Sequence, residues 1–166
     1  MPELELLIPL SVRRLQAEHY SPAQMEAALG PVFGVDRNLI KDGTYFVIVM
    51  GNQIAACGGW SRRKALFGSD QHHGGGVMFV DPHEEPARIR AFFVHPGFVR
   101  RGFGRRILEA SEDAARAAGF SRGELVATLT GEPLYAAGGY SVIERYEIAL
   151  AGGVLLPAVR MGKDLR

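Results

Sequence analysis

Arg100-Arg101-Gly102-Phe103-Gly104-Arg105 is a basic glycine turn set between an apolar run, Ile89 to Val94, and a run of helical character, Arg105 to Ala118. Strand, glycine loop and helix start together make an anion site. The helix N-terminus presents unpaired backbone N–H groups and a partial positive charge. Glycine lets a phosphate approach the main chain closely, and the arginines supply charge-assisted hydrogen bonds. A solvated basic turn would carry the same six residues, so the flanking elements decide between the two.

Upstream, Leu4 to Ile8 is expected as a first strand, with Ser11 as N-cap of a helix through Tyr20. Ser21-Pro22-Ala23-Gln24 opens a second helix with a capping box and proline at its first position, and Gly30-Pro31 ends it. Thr44 to Met50 is β-branched and aromatic, Gly51-Asn52 is a two-residue hairpin turn, and Gln53 to Trp60 returns antiparallel. Ile89 to Val94 is apolar on both sides of the chain, as a central strand covered on two faces should be. In the following helix Ile107, Leu108, Ala114, Ala115 and Ala118 form one apolar face, and Gly119 ends it. Leu125 to Leu129 reads as a strand, Pro133 to Ala137 as a short helix closed by Gly138-Gly139, and Ser141 to Leu150 and Leu156 to Met161 as the last strands. Gly68 to Pro86 is the least regular stretch, a loop with a short strand at Val77 to Val80. The layout is α/β (α+β): about four helices over a mostly antiparallel sheet of about six or seven strands, with a parallel step at its centre.

At 166 residues a single domain spanning 1–166 is expected. A net charge of +1 argues against a nucleic-acid binder; the cations gather locally, at Arg62-Arg63-Lys64 and Arg100 to Arg106, which suits a small anionic ligand. One cysteine excludes an internal disulfide, and no apolar run is long enough for a membrane span. The start Met1-Pro2-Glu3-Leu4-Glu5 lacks the basic residues of a signal peptide, so a cytoplasmic protein is expected. The dinucleotide pattern Gly-x-Gly-x-x-Gly fails because Ile107 stands at the third glycine position, and there is no Gly-Lys-Ser/Thr loop.

Three segments in order resemble the GCN5-related N-acetyltransferase (GNAT) family. Phe92-Phe93-Val94-His95-Pro96 is similar to the family's strand ending in Val-x-Pro. Arg100 to Arg105 is similar to its pyrophosphate loop, although Val99 stands where Gln or Arg is usual and Arg100 where many members have Gly. Leu134-Tyr135-Ala136-Ala137-Gly138-Gly139-Tyr140 resembles its Phe-Tyr-x-x-x-Gly-Phe segment, and Thr130 occupies a position, five before the tyrosine, where Asn is common.

The resemblance implies a splayed central pair of parallel strands, acetyl-CoA as co-substrate, no metal, and an amine acceptor. It places the pyrophosphate on Arg100, Arg101, Gly102, Phe103, Gly104 and Arg105, with Arg106 toward solvent or the adenosine 3′-phosphate. The pantetheine would pair with the strand end at Phe92, Phe93 and Val94 as a substitute strand, near Thr130. The Val94 N–H would polarise the thioester carbonyl. Tyr135 takes the place of the family's general acid for the departing thiolate; a phenol near pKa 10 and a thiol near 8.5 are neighbours in acidity. The alternative is a module of the same fold that binds an acyl-CoA without transfer. A homodimer is common in the family.

The general base is left open among Glu124, His95, His19 and His73. Trp60, Arg62 and Arg63 either border the acceptor or form core and solvated surface, and Arg88 and Arg90 are expected in structural ion pairs. Asp70, His72, His73, Asp81, His83 and Glu84 are metal-ligand types without ligand spacing, and Cys57 is expected as a small core residue.

Overall fold

A computed structural model describes residues 1–64 and 79–166. The elements are α1 (Pro2–Leu15), α2 (Pro22–Ala28), α3 (Arg37–Asp42), β1 (Tyr45–Met50), β2 (Gln53–Ser61), β3 (Ala87–Val94), α4 (Phe103–Ala117), β4 (Arg122–Thr128), α5 (Glu132–Ala137), β5 (Ser141–Ala149) and β6 (Leu155–Asp164). The six strands form one sheet in the order β1-β2-β3-β4-β6-β5. Every pairing is antiparallel except that of β3 with β4. This is the mixed, mostly antiparallel sheet with a central parallel pair that the sequence predicts.

The N-terminus differs from expectation. Leu4 to Ile8 is not a strand but part of α1, and Ser11 is a buried residue inside that helix rather than its cap. The alternation Glu3-Leu4-Glu5-Leu6 imitates a strand. The longer spacing Leu4, Leu7, Ile8, Ser11, Val12 is helical, and those residues are the buried face. Helix α3 was missed: Asp36 caps it through Leu39 N–H (3.2 Å), and Gly43 ends it in the left-handed region at φ +73°. The capping box of α2 forms as read, with Ser21 Oγ accepting from Gln24 N–H (3.1 Å) and Gln24 Oε1 accepting from Ser21 N–H (2.8 Å). Of Gly68 to Pro86, the part up to residue 78 lies outside the described residues, and with it Asp70, His72, His73 and the first half of the strand expected at Val77 to Val80; Phe79 makes an isolated bridge to Arg63.

The sheet is covered on both faces. On one, Leu4, Ile8, Val12 and Met25 of α1 and α2 pack with Cys57, Phe93, Ala158 and Ile148. On the other, Leu108 and Ala115 of α4 pack with Trp60, Ile89, Leu125, Val159 and Met161. Trp60 is therefore core, edge-on to Phe120 with ring centroids 5.7 Å apart.

Two features open the middle of the sheet. The first is the short parallel pairing: β3 and β4 are in register only at Ala87↔Gly123 and Arg88↔Glu124. Beyond those pairs each strand runs on, to Val94 and Thr128, without the other. The second is a bulge in β3. Cys57 faces Phe93 and Gly59 faces Arg90, so β3 holds one residue more than β2 over that interval. Ala91 absorbs it at φ +63°, a conformation that is strained for a residue with a Cβ. Tyr45 Oη donates to the Ala91 carbonyl (2.9 Å), which satisfies a group turned out of the ladder.

Strand β2 accommodates this through Gly58, where a Cβ would stand 2.5 Å from the Phe92 ring, and the next residue is confined from the β1 side. A Cβ on Gly59 would stand 2.2 Å from the Thr44 carbonyl oxygen, which is backbone and cannot swing away. Gly59→Ala is expected to lower unfolding free energy by about 3 kcal/mol, read from the urea midpoint.

Candidate active site

The glycine turn sits where β3 ends. After the single 3₁₀ turn Pro96–Phe98, the chain passes Arg100 at φ +61° and Gly102 at φ +76°, and α4 begins at Phe103. Gly102 is the N-cap and contributes no side-chain cap. Its carbonyl accepts from Arg106 N–H (3.1 Å), so the N–H groups of the first turn before Arg106 have no partner inside the helix. Two left-handed residues ahead of a helix start turn successive N–H groups toward one concavity, a geometry suited to an anion.

That concavity is one end of a cleft of about 650 Å³. Phe92, Phe93, Val94, Arg100, Gly102, Phe103, Gly104, Arg105, Thr130 and Tyr135 all line it. Arg101 is the one residue of the sequence-predicted set that does not; its guanidinium lies over the Phe98 ring at 5.2 Å. Arg105 is tied to Glu109 (3.2 Å) and donates to the Ala137 carbonyl (3.3 Å), linking α4 to the end of α5. The splay of β3 from β4 forms the long axis of the cleft, and its facing strand edges carry backbone groups that do not pair with each other.

Tyr135 is only 8 % exposed. Its ring lies edge-on to Phe92 (centroids 5.8 Å) and Tyr140 (6.2 Å). Among the described residues its hydroxyl has no hydrogen-bond partner, and burial alone pushes the phenol well above its usual value. The expected closeness to a thiol in acidity does not itself favour transfer: a phenol near 10 is already a weaker acid than a thiol near 8.5, and burial weakens it further. What the hydroxyl offers is a hydrogen-bond donor that stays neutral.

The opposite lip is set by the turn after α1. Tyr20 Oη donates to the Pro157 carbonyl (2.5 Å) and accepts from Leu129 N–H (3.0 Å), which pins that turn across the ends of β4 and β6. Beside it His19 Nδ1 lies 2.9 Å from Thr130 Oγ1, so the structure brings this imidazole to the edge of the cleft. His95 is elsewhere, its Nδ1 accepting from Gly97 N–H (2.9 Å).

Glu124 stands at the closed end of the splay. It is buried between Arg88 Nη1 (3.0 Å) and the Arg160 guanidinium, over a second groove of about 640 Å³. Both oxygens of this carboxylate are engaged by guanidiniums, and Glu124 does not line the cleft of the glycine turn. Arg90 pairs with Asp36, so both arginines of β3 form ion pairs as expected. Arg63 is bidentate to Asp42 (2.8 and 2.8 Å), and Arg62 lies over Phe79 at 5.3 Å. Cys57 is buried, its thiol pushed up to about 11 by burial, which makes it inert as a nucleophile. Among the described residues no group of three His, Cys, Asp or Glu could hold a metal, and no helix is long and apolar enough to cross a membrane.

Ser11, Gln16 and Phe33 also line the cleft and were not foreseen. They come from α1 and the connections around α2, elements far from the glycine turn in sequence and without a motif of their own.

Comparison with known proteins gives a consistent result. The model described as the acetyltransferase (GNAT) family matches residues 11–140. A search of curated protein sequences finds no match. Among solved structures, a GCN5-related N-acetyltransferase from Rhodopseudomonas palustris is 19 % identical with a TM-score of 0.70, covering 97 % of this chain and 87 % of that one. The Paia N-acetyltransferase from Thermoplasma acidophilum, in complex with coenzyme A, is 12 % identical with a TM-score of 0.63 over 98 % and 91 % of the two chains. A ribosomal-protein-alanine N-acetyltransferase from Brucella melitensis is 14 % identical with a TM-score of 0.56 over 77 % and 73 %. Fold, cleft and family match agree, and the chain belongs to the GNAT acetyltransferase family.

Proposed function

We propose that this protein transfers the acetyl group of acetyl-CoA to a primary amine by direct attack of the amine on the thioester carbonyl. The observation that carries the proposal is the splay of β3 from β4: one cleft joins an anion-binding helix start, two strand edges free to pair with an amide-bearing arm, and a buried tyrosine hydroxyl. In this reading Arg100, Gly102, Phe103, Gly104 and Arg105 hold the pyrophosphate, and Arg101 adds charge from outside the cleft. Phe92, Phe93 and Val94 line the pantetheine and thioester, with Thr130 on the facing wall. The amine nitrogen forms the new C–N bond, the C–S bond breaks, and Tyr135 donates a hydrogen bond to the sulfur as it takes up negative charge. Among the described residues the cleft is lined by no carboxylate. The amine therefore loses its proton to water or to an imidazole at the edge, for which His19 is placed.

The reading is supported by the family match and by a neighbour of the same fold in complex with coenzyme A. Its test is incubation with acetyl-CoA and a panel of polyamines, amino acids, aminoglycosides and peptides with free N-termini, following release of free thiol. Amine-dependent release is expected. Saturable acetyl-CoA binding with no release for any amine would instead make this a module that senses acyl-CoA.

A further inference from the structure

Among the uncharged side chains that line the cleft, one carries a buried polar atom without a partner among the described residues. Gln16 is 8 % exposed, lines the cleft, and has a buried Oε1 that accepts no hydrogen bond among the described residues. Such an oxygen is costly unless a ligand supplies the donor. Its position is firmly set. Gln16 is the C-cap of α1; its N–H donates to the Val12 carbonyl (3.1 Å), and its own carbonyl accepts from His19 and Tyr20 N–H (3.1 and 2.9 Å). The backbone of Gln16 is thus held on both sides, and its side chain is buried where α1 meets the cleft.

Building on the acetyl-transfer reading, we infer that Gln16 is the recognition group for the acceptor amine: its Oε1 accepts an N–H of the incoming nitrogen and turns the lone pair toward the thioester. Two observations separate the acceptor from the donor as its partner. In the acetyl-transfer reading the amides of a pantetheine arm pair with the inner edges of β3 and β4, which are open beyond Arg88 and Glu124. Gln16 comes from neither edge but from α1, which packs on the face of the sheet opposite α4, whose N-terminus forms the anion site. An arm entering from the α4 end and a nucleophile entering from the α1 side meet at the splay. The α1-side wall beside Gln16 carries Leu15, Val32 and Phe33 with the hydroxyl residue Ser11, so a neutral amide oxygen in a mostly apolar surround meets the nitrogen there; Arg90, which also lines the cleft, is paired with Asp36. A carbonyl oxygen selects for N–H donors and does not trap the amine as a fully paired ammonium, which suits a group that must become a free nucleophile.

Two thioethers of coenzyme A isolate this contact, one ending in a 2-aminoethyl group and the other in an isosteric propyl group. Calorimetry on the full chain is expected to show the aminoethyl compound binding about tenfold tighter, the scale of one charge-assisted hydrogen bond. Gln16→Leu should abolish that preference and leave propyl-thioether affinity within about twofold. Gln16→Glu, which keeps an oxygen in place, should retain or enlarge it. Equal weakening of both compounds by Gln16→Leu would assign Gln16 to the pantetheine arm or to the fold and overturn the inference, as would an absent preference in the unmodified protein or its loss in Gln16→Glu. Failure of both thioethers and of coenzyme A itself to bind would instead remove the donor assignment on which the inference stands.

Discussion

Replacing Tyr135 by phenylalanine is expected to lower kcat about 100-fold while the affinity for acetyl-CoA changes by no more than about twofold. The ring contacts with Phe92 and Tyr140 are kept by phenylalanine, so the walls of the cleft stay in place. Only the hydroxyl is lost, and it has no other task among the described residues: no protein group depends on it as donor or acceptor. The effect should fall on kcat rather than on binding because the hydrogen bond strengthens as charge gathers on sulfur. The pH dependence follows from the direction of the shift. Burial raises the phenol, so its neutral, donating form persists as pH rises, and Tyr135 should produce no fall in kcat up to about pH 9.5. An alkaline decline present in the wild type and absent from Tyr135→Phe would contradict this role, and so would an unchanged kcat in the variant.

The largest loss of stability is expected at Asp36. This carboxylate is fully buried, caps α3 through Leu39 N–H, and faces the buried guanidinium of Arg90 on β3. Removing one member of a buried ion pair costs about 3–5 kcal/mol because the other charge loses its counterpart. The cap adds about 1 kcal/mol. Asp36→Asn keeps an acceptor for the cap and removes the charge; it should lower unfolding free energy by about 3 kcal/mol. Asp36→Ala removes both and should cost about 4 kcal/mol. Denaturant titrations of the two variants separate the contributions, and equal losses would show that the cap is worth nothing here.

The glycine turn, the central strand, the following helix and the Tyr135 segment were legible because each is a local signal: left-handed positions need glycine, helix starts need caps, and apolar runs have a period. Boundaries moved by a residue or two, as at α4, which begins at Phe103 rather than Arg105. What was not legible depends on partners distant in the chain. Leu4 to Ile8 carries a short alternation and a longer helical spacing at once, and only packing against β3 and β2 decides between them. Asp36 and Gly43 are fair cap signals for α3, yet the helix between them has too few turns to show a period. Gln16 has no motif at all. Its significance lies in an oxygen left without a donor, which exists only once α1 is docked over the splayed strands.

The single additional residue at Ala91 exchanges the parity of β3. Before it, the even-numbered Arg88 and Arg90 point to the face of α1, and the odd-numbered Ile89 points to α4; after it, odd-numbered Phe93 joins the α1 core while Phe92 and Val94 pack on the α4 side. One strand thus presents charge to a given face at its base and an aromatic ring to the same face at its tip. Were Ala91 to enter the ladder as an ordinary strand residue, with no bulge, Phe92 and Phe93 would change sides, and the ring that meets Tyr135 would be buried beneath α1.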